Sequence, residues 1–161
     1  MRPALELDVT YAARRPWAPR RAQFSRWVSA ALGHAAGAQR RALRSAMGVA
    51  LSVRVVGSAR SRRLNALYRR KDRATNVLSF DGAGAMPDGR HFLGELLICA
   101  PVVAQEARAQ GKSAEAHWAH MTVHGVLHLL GFDHQGDREA RKMAAVEIQI
   151  LDRLGFSNPY V

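Results

Sequence analysis

Cysteine is nearly missing: Cys99 is the only one in 161 residues. A lone thiol closes no internal disulfide, so the fold must rest on a packed core, and the expected compartment is a reducing cytoplasm. No apolar run approaches the roughly 20 residues that cross a bilayer, so no membrane partner is expected. The opening stretch "MRPALELDVTYAARRPWAPRR" has none of the apolar h-region of a secretory signal. Its arginines would suit an organelle transit peptide, but Glu6 and Asp8 alternate with apolar residues in "LELDV", the pattern of a first strand. Acids are scarce in one half of the chain. Residues 1–75 hold 17 of the 24 Lys and Arg but only three of the 13 acids, Glu6, Asp8 and Asp72. That half carries +14, and residues 76–161 carry −3. Such asymmetry favours a polyanionic partner, through phosphate contacts and counterion release. A solvated surface in an arginine-rich protein fits equally well, since 21 of the cations are Arg. Charge alone does not choose between the two. No repeat or low-complexity block divides the chain, and 48% hydrophobic content suits one globular domain spanning 1–161.

The periodicities predict interspersed strands and helices without a strict βαβ rhythm. Residues 12–21 ("AARRPWAPRR") read as a linker. Residues 21–36 place Phe24, Trp27, Val28, Ala31 and Leu32 on one helical face. Residues 49–57 read as a strand. Ser58 is the expected cap of a helix over 59–69 that buries Leu64, Leu67 and Tyr68 and turns its arginines outward. "NVLSF" (76–80) is a short strand, 81–89 a loop and "FLGELLIC" (92–99) another strand, where Cys99 fills core. Pro101 suits the first turn of a helix that stops at Gly111. Another helix runs from Ser113 to Leu130 and ends at Gly131, and Asp137 caps a last one that stops before Gly155. The fold class is therefore α+β, a single domain with a small mixed sheet packed with helices.

On that framework the stretch "HGVLHLLGFDH" becomes informative. His124 and His128 stand at i and i+4 of a helix, so their rings project from one face a turn apart. Gly131 lets the chain reverse, and His134 can swing back as a third ligand. Three neutral imidazoles and one open position form the layout of a catalytic zinc site; a structural site closes with four protein ligands, usually including Cys. The expected centre is zincin-like, on a helix and the turn after it. His117 and His120 extend the stripe and are expected to support or pack behind it. Zincins carry H-E-x-x-H, where the glutamate takes a proton from the metal-bound water. Here Gly125 fills that position. The peptidase base is missing, and the basic half points to a phosphodiester substrate.

"HWAHMTVHGVLHLLGFDHQGDREARKM" resembles the H-G-x-L-H-L-x-G-[YF]-D-H signature of the YbeY family of bacterial rRNA maturation factors, described as single-strand-specific endoribonucleases. Upstream, "LNALYRRKDRATNVLSF" (64–80) is similar to that family's L-N-x-x-Y-R-x-K-D-x-x-T-[DN]-V-L-S-F block. "LGELLIC" (93–99) is similar to its L-G-D strand, and "LGFSNPY" (154–160) to its C-terminus. The resemblance covers roughly residues 50–160. It implies one zinc ion held by His124, His128 and His134. It also implies a functional arginine at Arg69, which would grip phosphate oxygens with a guanidinium that is always charged. Arg62, Arg63, Arg70 and Lys71 beside it are candidate RNA contacts, and Asp72 could pair with a neighbouring arginine. Two departures stand out: Glu95 replaces the usual Asp after "LG", and Arg70 replaces a small residue. The resemblance further implies cytoplasmic work on single-stranded pre-rRNA, maturation of the small-subunit 3′ end and ribosome quality control. Its implied partners are the small ribosomal subunit and a ribosome-associated GTPase. Two other classes stay open from the residues alone. One is a metal-dependent hydrolase of another substrate, such as a peptide. The other is a non-catalytic ribosome-assembly factor with structural zinc.

Overall fold

The computed structural model describes residues 4–161, and among them four strands and six helices form one α+β domain. Strand β1 (Ala4–Tyr11) is followed by an irregular segment and by helices α1 (Arg21–Leu32) and α2 (Gly37–Ser45). Then come β2 (Gly48–Val56), α3 (Ser58–Arg69), β3 (Val77–Ala85) and β4 (Arg90–Cys99). Helices α4 (Ala100–Ala109), α5 (Ala114–Leu129) and α6 (Asp137–Arg153) complete the chain. The sheet order is β1-β2-β4-β3. β1 and β4 run parallel to β2, and β3 is antiparallel to β4. The expected mixed sheet is therefore present.

Helix α5 is the centre of the molecule. It packs against α1, α4, α6, β3 and β4, and its side chains are buried nearly all round. Three edge-to-face contacts join Phe24 to Trp27, Phe24 to Trp118 and Trp27 to Phe156, with centroids 5.9, 5.9 and 6.2 Å apart. Aromatic pairs in this geometry contribute about 0.5–1.5 kcal/mol each beyond the area they bury. They fix α1 and the C-terminal turn against one side of α5. The small cluster of Val56, Leu78, Leu97 and Cys99 is packed by Leu64 of α3. Cys99 is fully buried there, as its strand position predicts.

Several boundaries differ from the sequence expectation. Ser58 opens α3 rather than capping it: extended Gly57 is the N-cap, and its carbonyl accepts from Ser61 N–H. Asp137 likewise sits inside the first turn of α6 behind Gly136, where its charge still favours the helix dipole. The loop expected at 81–89 is mostly strand, because β3 continues to Ala85 and pairs with β4 across a bulge between Asp81 and Gly84. The largest correction concerns α3. Leu67 and Tyr68 were expected in the core and are 68% and 62% exposed. The helix instead buries polar Ser61 and Asn65.

That polar face has a clear task. Ser61 Oγ donates to Thr75 O (3.0 Å) and accepts from Thr75 N–H (2.9 Å), while Asn65 Nδ2 donates to Arg73 O (2.9 Å). These bonds pin the segment after α3 back onto the helix. Arg70 closes α3 with φ 58, the one left-handed non-glycine among the described residues. An L side chain held there costs roughly 1–2 kcal/mol. The chain thus keeps a cation at a position where glycine would be easier.

Candidate metal centre

The local sequence explains how the histidines meet. Ser113 caps α5, its hydroxyl accepting from Ala116 N–H at 3.1 Å. At the other end Gly131 takes φ +95, its N–H reaches His128 O, and Phe132 N–H reaches Leu127 O. Those two bonds form a Schellman stop, which needs a left-handed residue at the glycine. Beyond it, Asp133 Oδ1 accepts from the backbone N–H of His134 and of Gln135 (2.7 and 3.2 Å), setting the direction in which His134 returns.

His124, His128 and His134 converge. Their ligand nitrogens all lie within 4.8 Å of one another, an arrangement that could hold one metal ion. His124 Nε2 and His128 Nε2 are 3.1 Å apart. Two imidazoles on one tetrahedral zinc, at about 2.0–2.1 Å each, would place their nitrogens about 3.3 Å apart, so the donor pair fits. Burial first, then the charges of His124, His134 and Arg69, push His128 down to about 4, so this ring is neutral and available as a donor. Arg69 lies at the exposed end of α3, and its charge is among the lesser causes that lower His128.

Behind the trio lies a residue that sequence reasoning missed. Glu147 of α6 is 1% exposed, and its Oε2 lies 2.6 Å from His124 Nδ1 and 3.4 Å from His120 Nε2. Tyr160 donates its hydroxyl to Glu147 Oε1 and lies 3.4 Å from His120 Nε2. Burial alone would raise the Glu147 carboxyl, but hydrogen bonds from His120, His124 and Tyr160 outweigh it and hold it down at about 2. The carboxylate is therefore ionised, and it fixes the proton of His124 on Nδ1. That leaves Nε2 as a lone-pair donor toward the other two rings, as metal-ligating histidines require. The sequence did carry a signal. Met143, Glu147, Ile150 and Leu151 share the buried face of α6, and a single acid in such a stripe needs buried partners.

His120 is thus a support for the centre, packed on α6, and burial keeps its pKa low. His117 takes another partner: its Nε2 lies 2.9 Å from Glu106 Oε1, which also accepts from Asn76 Nδ2 at 3.1 Å. The bond from His117 chiefly holds the Glu106 carboxyl below its ordinary range, against burial. Arg62 is engaged in a two-pronged pair with Asp72 (2.7 and 3.0 Å). Arg63, Arg69, Arg70 and Lys71 are exposed on and just after α3. Glu95 pairs with Arg54 of β2 at 2.5 Å.

Replacing Glu147 with glutamine is expected to weaken binding of a divalent ion such as zinc about 10- to 100-fold, because the charge that orients His124 is gone. Competition against a coloured chelator measures this. An unchanged affinity would show that Glu147 does no more than fill space.

The protein's class is thus an α+β domain that gathers three imidazoles at the end of its central helix, a group that could hold a metal ion, with a carboxylate behind one of them. Comparison with known proteins narrows this. The family model described as Endoribonuclease YbeY matches residues 17–155. A protein of Alkalilimnicola ehrlichii described as Endoribonuclease YbeY is 49% identical, over 98% of this chain and 92% of that one. The chain belongs to the Endoribonuclease YbeY family. Among solved structures, a Thermotoga maritima protein determined in solution superposes with a TM-score of 0.55. It shares 20% identity over 92% of this chain and 89% of that one, a likeness of fold.

Proposed function

We propose that this protein is a zinc-dependent, single-strand-specific endoribonuclease that acts in rRNA maturation, at the small-subunit 3′ end, and in ribosome quality control. Its partners on this reading are pre-rRNA, the small ribosomal subunit and a ribosome-associated GTPase, in the cytoplasm. The observation that carries the reading is the convergence of His124, His128 and His134. Family membership supports the nuclease activity.

The residues have distinct duties. His124, His128 and His134 would hold the ion, which when bound supplies Lewis acidity toward a water or a phosphate oxygen. Glu147 keeps His124 in the correct tautomer, and Tyr160 and His120 keep Glu147 in place. Arg69 would grip the scissile phosphate and neutralise the charge that builds on it as the bond breaks. Arg63, Arg70 and Lys71 would hold flanking phosphates, while Arg62 stiffens the segment through Asp72. The peptidase alternative lacks support, because Gly125 brings no base to the centre.

Purified protein, freed of contaminating nucleases, is expected to cut a single-stranded oligoribonucleotide. It should stop in excess chelator, recover with added zinc, and leave an unfolded protein substrate intact. Cleavage indifferent to chelator would sink the metal-dependent reading.

A further inference from the structure

We propose that the exposed ring of Tyr68, braced by Phe80, is a stacking platform for one base of the single-stranded RNA. This deepens the ribonuclease reading of the same site and rests on it. The starting observation is the inverted polarity of α3. The helix spends its buried face on Ser61 and Asn65 and leaves Leu67 and Tyr68 in solvent. Burial of large apolar side chains favours folding, so leaving two adjacent ones exposed runs against folding alone. Adjacent exposed apolar side chains rimmed by polar residues mark a contact surface.

The ring is also held still. Phe80 of β3 meets Tyr68 edge to face, with centroids 5.1 Å apart and planes at 71°. That contact uses one part of the ring and leaves the rest open, for 62% exposure of the residue. A fixed aromatic surface loses little entropy when a base settles on it.

Charge decides the kind of occupant. Arg69, Arg70 and Lys71 follow Tyr68 directly, and all three are exposed. That stretch of backbone is held by Arg70 N–H on Ala66 O and Lys71 N–H on Asn65 O, and the residues after it by the asparagine and serine bonds to Arg73 and Thr75. Cations that track a phosphate chain beside an aromatic ring that accepts any base are the combination used to bind single strands. A duplex offers no free base face, so the platform would also favour single-stranded over paired RNA. Position completes the argument: Phe80, which braces the ring, follows Ser79, whose hydroxyl donates to the carbonyl of Gly125 at 3.1 Å, beside His124. A base on Tyr68 would therefore belong to a nucleotide near the scissile phosphate.

The test uses the full chain and single-stranded oligoribonucleotides carrying 2-aminopurine at successive positions. Stacking on Tyr68 should quench the probe at one position, and Tyr68→Ala should abolish that quenching. Tyr68→Ala should also raise KM about tenfold or more, the loss expected for one stacked base, with kcat changed little. Tyr68→Phe, which keeps the ring, should behave as the parent does. Unchanged KM and quenching in Tyr68→Ala would overturn the platform, and would be the result if the patch instead served a protein partner. Loss of affinity only in step with a lower melting temperature, or equal loss in Tyr68→Phe, would overturn it too. Quenching reads binding and needs no cleavage. A parent protein that binds and quenches without cutting would therefore sink the ribonuclease reading and leave the platform standing.

Discussion

Replacing His134 with alanine is expected to reduce RNA cleavage by about a thousandfold or more while leaving the fold intact. A metal centre that loses one of three ligands loses the charge that stabilises the transition state, an effect of several kcal/mol. His134 is the right ligand to remove. It is the exposed member of the trio and reaches the centre from the turn after α5, outside the core. His124 is a poorer choice, because its ring is one of the donors that satisfy the buried carboxylate of Glu147. Removing a partner from a buried charge can cost about 3–5 kcal/mol, so His124→Ala would mix a folding defect with a chemical one. Metal binding itself stabilises a folded state by mass action. The melting temperatures of His134→Ala and its parent must therefore be compared in chelator, where they should agree within a few degrees. Metal content and cleavage should both collapse in the variant. Retained cleavage would exclude His134 from the centre. A large fall in melting temperature in chelator would instead favour an architectural role for that turn.

The parts of the site that were legible in the sequence are those set by local rules. His124 and His128 share a face because four residues make about one helical turn, and Gly131 marks the stop because only a left-handed residue closes a Schellman turn. The three-histidine cluster follows from those two facts. Glu147 was hidden for a different reason. It lies 23 residues from the histidine it orients, and only the packing of α6 on α5 brings them together. The rule that apolar residues go inside misplaced Leu67 and Tyr68. It fails where a helix is pinned by polar bonds on its buried face and its apolar tip stays in solvent. Residues 81–85 read as a loop because glycine is poor in strands, yet the hairpin partner β4 pairs with them across a bulge. Arg69 could not be chosen among its arginine neighbours from local pattern. Among those neighbours it is the one whose charge helps lower the His128 pKa, an effect between distant parts of the chain that local pattern does not show.

Gly125→Glu, the change that would restore the H-E-x-x-H spacing, is expected to unfold the protein rather than create a peptidase. A Cβ at position 125 would lie 2.8 Å from Leu96 Cδ2 and 3.2 Å from both Leu96 Cδ1 and Val77 Cγ2. Leu96 is fully buried and Val77 nearly so, which leaves little room to give way. Ser79 Oγ donates to Gly125 O at 3.1 Å, a sign of how closely the helix lies on β3. Even alanine would be over-packed here, at roughly 1–3 kcal/mol, offset in part by the roughly 1 kcal/mol gained when a helical glycine is replaced. A glutamate adds length and a carboxylate with no partner among these apolar groups, a penalty of several kcal/mol more. The sum approaches the whole stability of a typical domain, roughly 5–15 kcal/mol. Circular dichroism and thermal melting should show the loss directly, with Gly125→Ala folded at an intermediate melting temperature. A Gly125→Glu protein that melts like its parent would show that position 125 faces open space. The physical reason it should not is the helical period: residue 125 is turned about a quarter of the way round from His124, onto the face of α5 that seats against β3 and β4. The glycine that lets α5 sit that close is therefore a packing residue. On the ribonuclease reading, a base for the reaction would therefore have to come from a residue other than the one at position 125.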